Sequence, residues 1–550
     1  MEKKNLLALV LISLLTMGYF IYTGSITPKE PSRPYSAKGG IEIDTSSVGT
    51  QKSPELKTER GKFAVQDTTT PEKVVKVETD LYRAHFSSRG ATLKSFLLKR
   101  YKYSENGNQI ELIPQDSPGS LGILFSDSTL FSFQVDLDSL ILNDVTQRGT
   151  ITFNGHAKDG TTITKKYTFY NNKYHFNLEL EISEDGQAES RRDYALAWSS
   201  GLASTEKDLN EDLRYFEAYS MMGQQLRSSK KFKKESGTEM DVLEESNSGQ
   251  TDWVATKTKY FLASIVPLSK KGSGFSVYGK RWFSGQEGQR LEHKQIAVFL
   301  EMPFARDSIA IDSFMVYLGP LDYNKLRSYK IGLENTVNLG WKIIKPFSIA
   351  ILWIFVNLHK LIPNYGLVII IFTILMKIVL HPLTHKSTKS MSKMQELQPR
   401  ITELKEKHKD DTQRMNQEMM KLYKEQGVNP LGGCLPLLLQ MPLFYGLFVI
   451  FQSTIELRGA EFAWWLKDLS QKDPYFILPL IMSVAMFWQQ KITIRDPKQK
   501  MMVYLMPILF FFLFKGFPAG LTLYWTLFNI LSLAEQYYLK AKHASEAVSA

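Results

Sequence analysis

Residues 429–455 read NPLGGCLPLLLQMPLFYGLFVIFQSTI, a Gly/Pro-rich segment followed by an apolar run that contains no charged residue. The run Leu435–Ile455 has the length of a helix that crosses a bilayer, which takes about 20 residues. The preceding loop, 381–431, carries ten basic residues, whereas the loop 456–473 carries three. Because Lys and Arg accumulate in cytoplasmic loops, the sequence predicts a membrane protein with 381–431 inside and 456–473 outside.

Further apolar stretches surround this span. They are Tyr365–Leu380, Tyr475–Gln490, Met501–Phe514, Ala519–Tyr538 and, near the start of the chain, Leu6–Tyr22. Leu6–Tyr22 follows two lysines and predicts an uncleaved anchor, although a cleaved signal peptide fits the same pattern. Counting the anchor, we predict six spans with both termini in the cytoplasm. Phe347–Leu361 would place the basic loop on the wrong side if it also spanned, so we predict an interfacial helix on the outer leaflet.

The composition narrows the classes of function. The formal net charge is +11, and in a membrane protein such an excess normally faces anionic lipid, so we expect no direct role with nucleic acid. Cys434 is the one cysteine, which excludes an internal disulfide.

The part of the chain before the spans has the pattern of an outer β domain. Ile163, Tyr167 and Phe169 alternate with polar residues, and a second alternating run follows a turn at Asn171-Asn172. This predicts a hairpin with one buried face and, with further short strands, a large β-sandwich. Asp322–Val337 is predicted to be helical.

The predicted fold is therefore a multi-domain membrane protein, with an all-α membrane bundle, an all-β sandwich on the outer side of the membrane and a cytoplasmic helical hairpin. The predicted boundaries are 1–24 for the anchor, 25–75 for a linker, 76–335 for the sandwich, 336–362 for the interfacial helix, 363–540 for the membrane core with its hairpin at 385–428, and 541–550 for a cytoplasmic tail.

Lys377 is the one basic residue well inside an apolar span. A charge in hydrocarbon is costly and usually functional, but Lys377 lies near the end of its span, where its side chain could instead snorkel to the surface. Thr373 lies one turn earlier on the same face, and Gln440 begins the next span. In the last span Thr522, Thr526, Asn529 and Ser532 form one polar stripe. Such stripes usually serve helix packing; together with Lys377 they would line a wet groove. No second charge inside the spans is evident.

Catalytic signatures are absent from the sequence. It contains neither HExxH nor GxSxG, and the glycines around Gly279 do not make a phosphate-binding loop. We therefore predict no enzyme activity, no metal site and no cofactor.

The membrane half resembles the YidC insertase family. The resemblance rests on Asn429–Pro436, on Gln440-Met441-Pro442-Leu443-Phe444, on Met391–Pro399 and on Phe517–Leu521, in unchanged order over roughly 335–540. The outer domain resembles, more loosely, the periplasmic domain of Gram-negative members.

The resemblance implies an insertase and chaperone of the inner membrane, which acts alone or with the Sec translocon through a hydrophilic groove. The family's basic groove residue falls on Lys377, where many relatives carry arginine, and its aromatic pair falls on Tyr524-Trp525. The implied groove residues are Lys377, Thr373, Gln440, Met441, Phe444, Thr522, Tyr524, Trp525, Thr526 and Asn529. The implied partners are nascent membrane proteins, the Sec translocon, the phospholipid bilayer, and the ribosome through the cytoplasmic loops and tail.

Two other functions remain open at this point. A secondary transporter or channel would show repeated halves with broken helices and facing charges. A membrane-anchored carbohydrate enzyme would need a histidine and a carboxylate paired in a cleft of the outer domain.

Overall fold

The computed structural model of the protein describes residues 71–549, except positions 116, 118 and 410 and the segments 126–130, 158–160, 184–192, 236–239, 286–289, 304–308, 428–434 and 494–499. The predicted anchor and nearly all of the predicted linker lie outside the described residues. So do the first residues of the motif that begins at Asn429.

Short alternating runs form the strands of the outer domain. In chain order these are β1 Val74–Glu78, β2 Tyr82–Ser87, β3 Thr92–Lys102, β4 Gln109–Glu111, β5 Gly122–Phe125, β6 Phe131–Gln134, β7 Ser139–Ile141, β8 Arg148–Ala157, β9 Thr162–Tyr170, β10 His175–Ser183, β11 Asp193–Trp198, β12 Glu217–Met222, β13 Gln225–Ser229, β14 Lys233–Lys234, β15 Asp241–Lys257, β16 Phe261–Pro267, β17 Gly272–Ser284, β18 Leu291–Pro303 and β19 Ile309–Pro320.

The described strands form a five-stranded sheet, β4-β3-β2-β1-β7, and a 14-stranded sheet with the path β5-β11-β18-β17-β15-β16-β19-β10-β9-β8-β6. The predicted hairpin is present as β9 and β10, with Leu178 opposite Tyr167 and with Asn172 at φ 56° in the turn. The sheets pack on each other through aromatic rings: the Phe86 ring lies 4.7 Å from that of Tyr167 and 5.4 Å from that of Phe169. The predicted sheet-rich outer domain is confirmed.

A buried lysine joins the two sheets. Lys165 on β9 is fully buried, and its Nζ donates to the carbonyl oxygens of Gly90, Ala91 and Leu121 at 2.8, 3.3 and 2.7 Å. Burial lowers the pKa of Lys165 to about 7. These bonds satisfy carbonyls that would otherwise lie unpaired in the core, so Lys165 fixes the turn before β3.

Helices make up the remainder of the described chain. They are α1 Leu209–Leu213, α2 Tyr323–Ser328, α3 Lys345–Leu361, α4 Tyr365–Glu396, α5 Gln398–Lys407, α6 Thr412–Glu425, α7 Leu435–Ser453, α8 Ile477–Thr493, α9 Lys500–Phe514 and α10 Ala519–Ser549, with short 3₁₀ turns at Leu333–Thr336 and Ile455–Leu457.

The predicted helix Asp322–Val337 is wrong as one element. Asp322 caps α2 by accepting from the Lys325 N–H at 3.0 Å, but the helix ends at Ser328. Lys330 and Gly332 then adopt positive φ angles of 58° and 82°, which an α-helix does not accommodate. The segment therefore folds as a short helix followed by a 3₁₀ turn.

The apolar helices follow the predicted stretches closely. Within the described residues, Tyr365–Pro382 has the length and hydropathy of a bilayer span, while Ile477–Ile492 and Met501–Phe514 are apolar but shorter. Helix α4 continues past Leu380 to Glu396 with Pro382 inside it, so the predicted span and the start of the predicted hairpin form one helix.

Candidate functional site

The ammonium of Lys377 is paired with groups on the last helix. Its Nζ lies 2.8 Å from Oε2 of Glu535 and donates to Oγ of Ser532 at 2.7 Å, and it stands 4.9 Å from the centre of the Phe528 ring. The Lys377 side chain is 14% exposed. Lys377 on α4 is therefore tied to α10 by a half-buried ion pair, and its amine is directed into the helix bundle.

Sequence reasoning missed Glu535. Its side chain is 18% exposed, and its second oxygen lies 3.0 Å from Nδ1 of His381, one turn after Lys377 on α4. The expectation that no second charge faces Lys377 is wrong. The signal was present, because Glu535 stands three residues after Ser532 and so continues the spacing of the polar stripe.

The polar stripe of α10 is buried along its whole length and is largely bonded within the helix. The hydroxyls of Thr522 and Ser532 and the Asn529 amide each donate to the carbonyl four residues earlier. The Thr526 hydroxyl lies 2.7 Å from the Thr522 carbonyl and 3.3 Å from that of Leu478 on α8. The outer part of the stripe therefore serves helix packing, and the part near Ser532 reaches Lys377.

Thr373 also bonds within its own helix. It is fully buried, and its hydroxyl donates to the Ile369 carbonyl at 2.7 Å. It shares the face of Lys377 without contributing to the ion pair. A threonine in this back-bonded form adds polarity to the face without leaving a donor unpaired.

Tyr524 and Trp525 point to different neighbours, as adjacent residues on a helix must. The Tyr524 ring is fully buried, 6.3 Å from the Phe372 ring of α4. The Trp525 ring lies 4.9 Å from that of Phe444 on α7, and its indole N–H, although buried, has no hydrogen-bond partner within the described residues. An unpaired buried donor costs free energy, so Trp525 lowers the stability of the bundle relative to a tryptophan whose indole N–H is bonded.

The residues predicted on α7 divide into two sets. Gln440 is 7% exposed and Phe444 packs against Trp525, so both belong to the interior of the bundle. Met441 is 50% exposed. The structure thus brings Lys377, Trp525 and Phe444 into one bundle through α10.

The helices after α4 carry a small apolar cluster of their own. Leu397 and Ile401 are buried there. Met394, Met419, Leu422 and Tyr423 pack around them. Asp411 caps α6 by accepting from the Arg414 N–H at 2.9 Å. Met394 at the end of α4 and Met419 on α6 both pack on this cluster, whereas Met420 is 58% exposed.

Comparison with known proteins places both halves of the chain. The 60Kd inner membrane protein family matches residues 357–546, and the YidC periplasmic domain matches residues 74–350. Proteins named membrane protein insertase YidC are similar along the whole chain. The one from Syntrophus aciditrophicus is 34% identical over 98% of this chain and 99% of its own length. The one from Chlorobaculum parvum is 33% identical over 95% of this chain and 90% of its own length. A crystal structure of an active YidC insertase with its first transmembrane domain resolved aligns at 21% identity and a TM-score of 0.37, covering 86% of this chain and 95% of that one.

Proposed function

The chain belongs to the YidC family of membrane protein insertases, and we propose that it inserts its clients through a polar groove that contains Lys377 and opens to the cytoplasm. Membership of the family makes it an insertase of the bacterial inner membrane, with residues 74–350 forming its periplasmic domain. It acts on membrane proteins in the bilayer. Membership of the family favours insertion over the transporter, channel and carbohydrate-enzyme alternatives. The groove, its residues and the topology are proposed.

The observation that carries the proposal is the ion pair between Lys377 and Glu535 in apolar helices. An ammonium in hydrocarbon is costly, and a half-buried pair offsets that cost only in part. The Lys377 ammonium makes two short contacts, one with the Glu535 carboxylate and one with the Ser532 hydroxyl. A client carboxylate that replaces Glu535 would keep the ammonium neutralised, so the site is suited to exchange one acidic partner for another.

The mechanism follows from the solvent properties of the bilayer. A client's polar tail cannot cross hydrocarbon unaided, because its backbone and charged groups would lose their hydrogen bonds to water. A polar groove in the bundle shortens that crossing, and the Lys377 charge attracts acidic residues of the tail. The client's apolar helix then moves sideways into lipid, driven by its own burial. No step requires chemistry on a covalent bond, so we propose that the protein is not an enzyme.

The proposed topology has six spans, with α5 and α6 in the cytoplasm and both chain ends inside. Three features support it. The basic residues Lys407, Lys421 and Lys424 are exposed on α5 and α6. On α3, Phe347 and Trp353 are 45% and 65% exposed, as expected of an amphipathic helix lying in the outer leaflet. The apolar helices α4, α7, α8, α9 and α10 then supply the remaining spans.

Two partners follow from the same topology. We propose that the exposed basic face of α5 and α6 contacts the ribosome, whose RNA is strongly anionic. We also propose that the bundle works beside the Sec translocon on larger clients. Both rest on the resemblance and on the charge of these helices.

Photo-crosslinking to an arrested client tests the groove. A photoreactive residue at Trp525, in the bundle, should crosslink to a client stalled during insertion. The matched control is Tyr504 on α9, which is 59% exposed on the outer face of the bundle. Stronger crosslinking from Tyr504 than from Trp525 would place the client path on the lipid-facing surface and refute the groove.

A further inference from the structure

An arginine of the outward loop is inserted into the β domain. Arg458 follows α7, in the segment 454–476. Its Nε donates to Oε1 of Glu206 at 2.7 Å, one Nη donates to the carbonyl of Lys102 at 3.1 Å, and the other donates to the carbonyl of Thr205 at 3.2 Å. Every nitrogen of the guanidinium is thus bonded to the β domain.

The pocket around Arg458 excludes water. The side chains of Arg458 and Glu206 are 6% and 4% exposed, and the guanidinium carbon lies 5.7 Å from the ring centre of Tyr260 and 5.8 Å from that of Phe261. A buried ion pair is tolerable only when the remaining donors are also bonded. The planar fork of arginine meets this condition, and the single ammonium of a lysine does not.

The same loop caps the start of α10. The Leu469 N–H donates to the Ala460 carbonyl at 3.0 Å, and the Leu469 carbonyl accepts from the N–H of Gly520 at 2.9 Å. The approach is tight, because a Cβ on Gly520 would lie 2.4 Å from the Phe451 ring. A short path therefore runs along the chain from Arg458 to Ala460 and then through backbone hydrogen bonds, by way of Leu469, to the first turn of the helix that carries Trp525, Ser532 and Glu535.

We propose that Arg458 is a positioning residue: it fixes the outward loop to the β domain and thereby holds the start of α10, the helix that carries the partners of Lys377. This deepens the proposed function and rests on it. In this arrangement the β domain acts as a brace: through Glu206, Lys102 and Thr205 it holds Arg458, and with it the outward loop, in place. Loss of the Arg458 contacts loosens the loop first and the first turn of α10 with it.

Hydrogen exchange of the full-length protein in lipid nanodiscs tests the proposal. Arg458→Gln and Glu206→Gln each remove a charge from the pocket, and Lys467→Gln removes an exposed charge from the same loop as a control. We expect Arg458→Gln to speed exchange by roughly tenfold or more in both 455–470 and 520–523, with β15 and β16 unchanged. Glu206→Gln should act in the same direction, and Lys467→Gln should have no effect. Arg458→Lys should not restore the slow exchange.

The outcomes separate this inference from the groove itself. Faster exchange confined to 455–470 in both pocket variants, with 520–523 as in the unmodified protein, would overturn the coupling to α10. Restoration by Arg458→Lys would overturn the requirement for the guanidinium fork. These results do not depend on client crosslinking at Trp525. The crosslinking experiment can therefore refute the groove while hydrogen exchange supports the role of Arg458, and hydrogen exchange can refute the role of Arg458 while crosslinking supports the groove.

Discussion

The Nζ atom of Lys377 lies 2.8 Å from a carboxylate oxygen of Glu535, across the contact between α4 and α10. The two charges neutralise each other where neither is well hydrated. Attraction over about 3–4 Å at an effective dielectric near 20 amounts to about 4–6 kcal/mol before desolvation is subtracted. If a client carboxylate enters the proposed groove, it has a comparable gain available at Lys377, and Glu535 then competes with the client.

Glu535→Gln removes this competitor and leaves the Lys377 charge. We expect the protein to lose about 1–3 kcal/mol of stability, because the ammonium loses its counter-charge. A client with an acidic tail should nevertheless crosslink more strongly at Trp525, since the Lys377 ammonium no longer has a carboxylate partner within the protein. Glu425→Gln, an exposed position on α6, is the matched control. Weaker crosslinking in Glu535→Gln alone would show that Glu535 assists the client rather than competing with it.

Glu456, in the outward loop, should make stability depend on pH. Burial and, next, the Asp322 carboxylate raise the pKa of Glu456 from 4.5 to about 7, with Lys325 opposing. Between about pH 4.5 and 7 the Glu456 carboxyl is protonated in the folded protein but ionised in the unfolded chain. The contribution of Glu456 to stability is therefore fully present below about pH 4.5 and is lost as the pH rises to about 7. We expect the unmodified protein to lose up to about 3 kcal/mol relative to Glu456→Gln between pH 5 and 8.

Thermal unfolding of both proteins in detergent at the two pH values measures this effect. The control is Glu461→Gln, an exposed carboxyl in the same loop, which should keep the pH dependence of the unmodified protein. The same pH dependence in Glu456→Gln and the unmodified protein would contradict the assignment.

The exposed basic face of α5 and α6 should determine ribosome binding. Replacing Lys407, Lys421 and Lys424 by Gln should weaken binding and reduce its salt dependence, because fewer counterions are released. Replacing the exposed residues Glu403, Glu406 and Glu425 by Gln is the control for altered helix surface. Sedimentation with ribosomes at two salt concentrations distinguishes the sets. Unchanged binding by the lysine variant would exclude this face as the contact.

Deletion of residues 80–310 should slow insertion without abolishing it. The deletion removes the pocket for Arg458, but the polar groups proposed for the groove lie on α4, α7 and α10 and remain. We expect the rate of client insertion to fall to the level of Arg458→Gln, since both lose the same brace. Complete loss of insertion at normal protein levels would refute the view that the membrane half suffices.

The sequence predicted the elements whose causes are local. The alternation through Tyr167 and Phe169 indicated a hairpin. The apolar stretches Phe347–Leu361 and Tyr365–Leu380 indicated α3 and α4, and the Asn364 side chain between them accepts from the Leu367 N–H at 3.0 Å. The apolar runs indicated α7 to α10 because burial in lipid or in a bundle requires them.

Features that depend on tertiary contacts were not accessible in the same way. Glu535 continues the spacing of the polar stripe in the sequence, but its pairing with Lys377 depends on α4 and α10 lying side by side. Arg458 has the pattern of an ordinary loop arginine, and only the fold brings it to Glu206, 252 positions away in the chain. The break after Ser328 was missed because Lys330 adopts a positive φ angle that is unusual for lysine.

The most direct test of the groove compares two clients, one with an acidic tail and one with a neutral tail, in variants of Lys377. Lys377→Arg should insert both, because it keeps the positive charge. Lys377→Glu should impair the acidic client much more than the neutral one, because it places a second carboxylate beside Glu535. Adding Glu535→Lys should restore part of the loss. Equal impairment of the two clients in Lys377→Glu, or a silent Lys377→Gln, would contradict an electrostatic role for Lys377 in insertion.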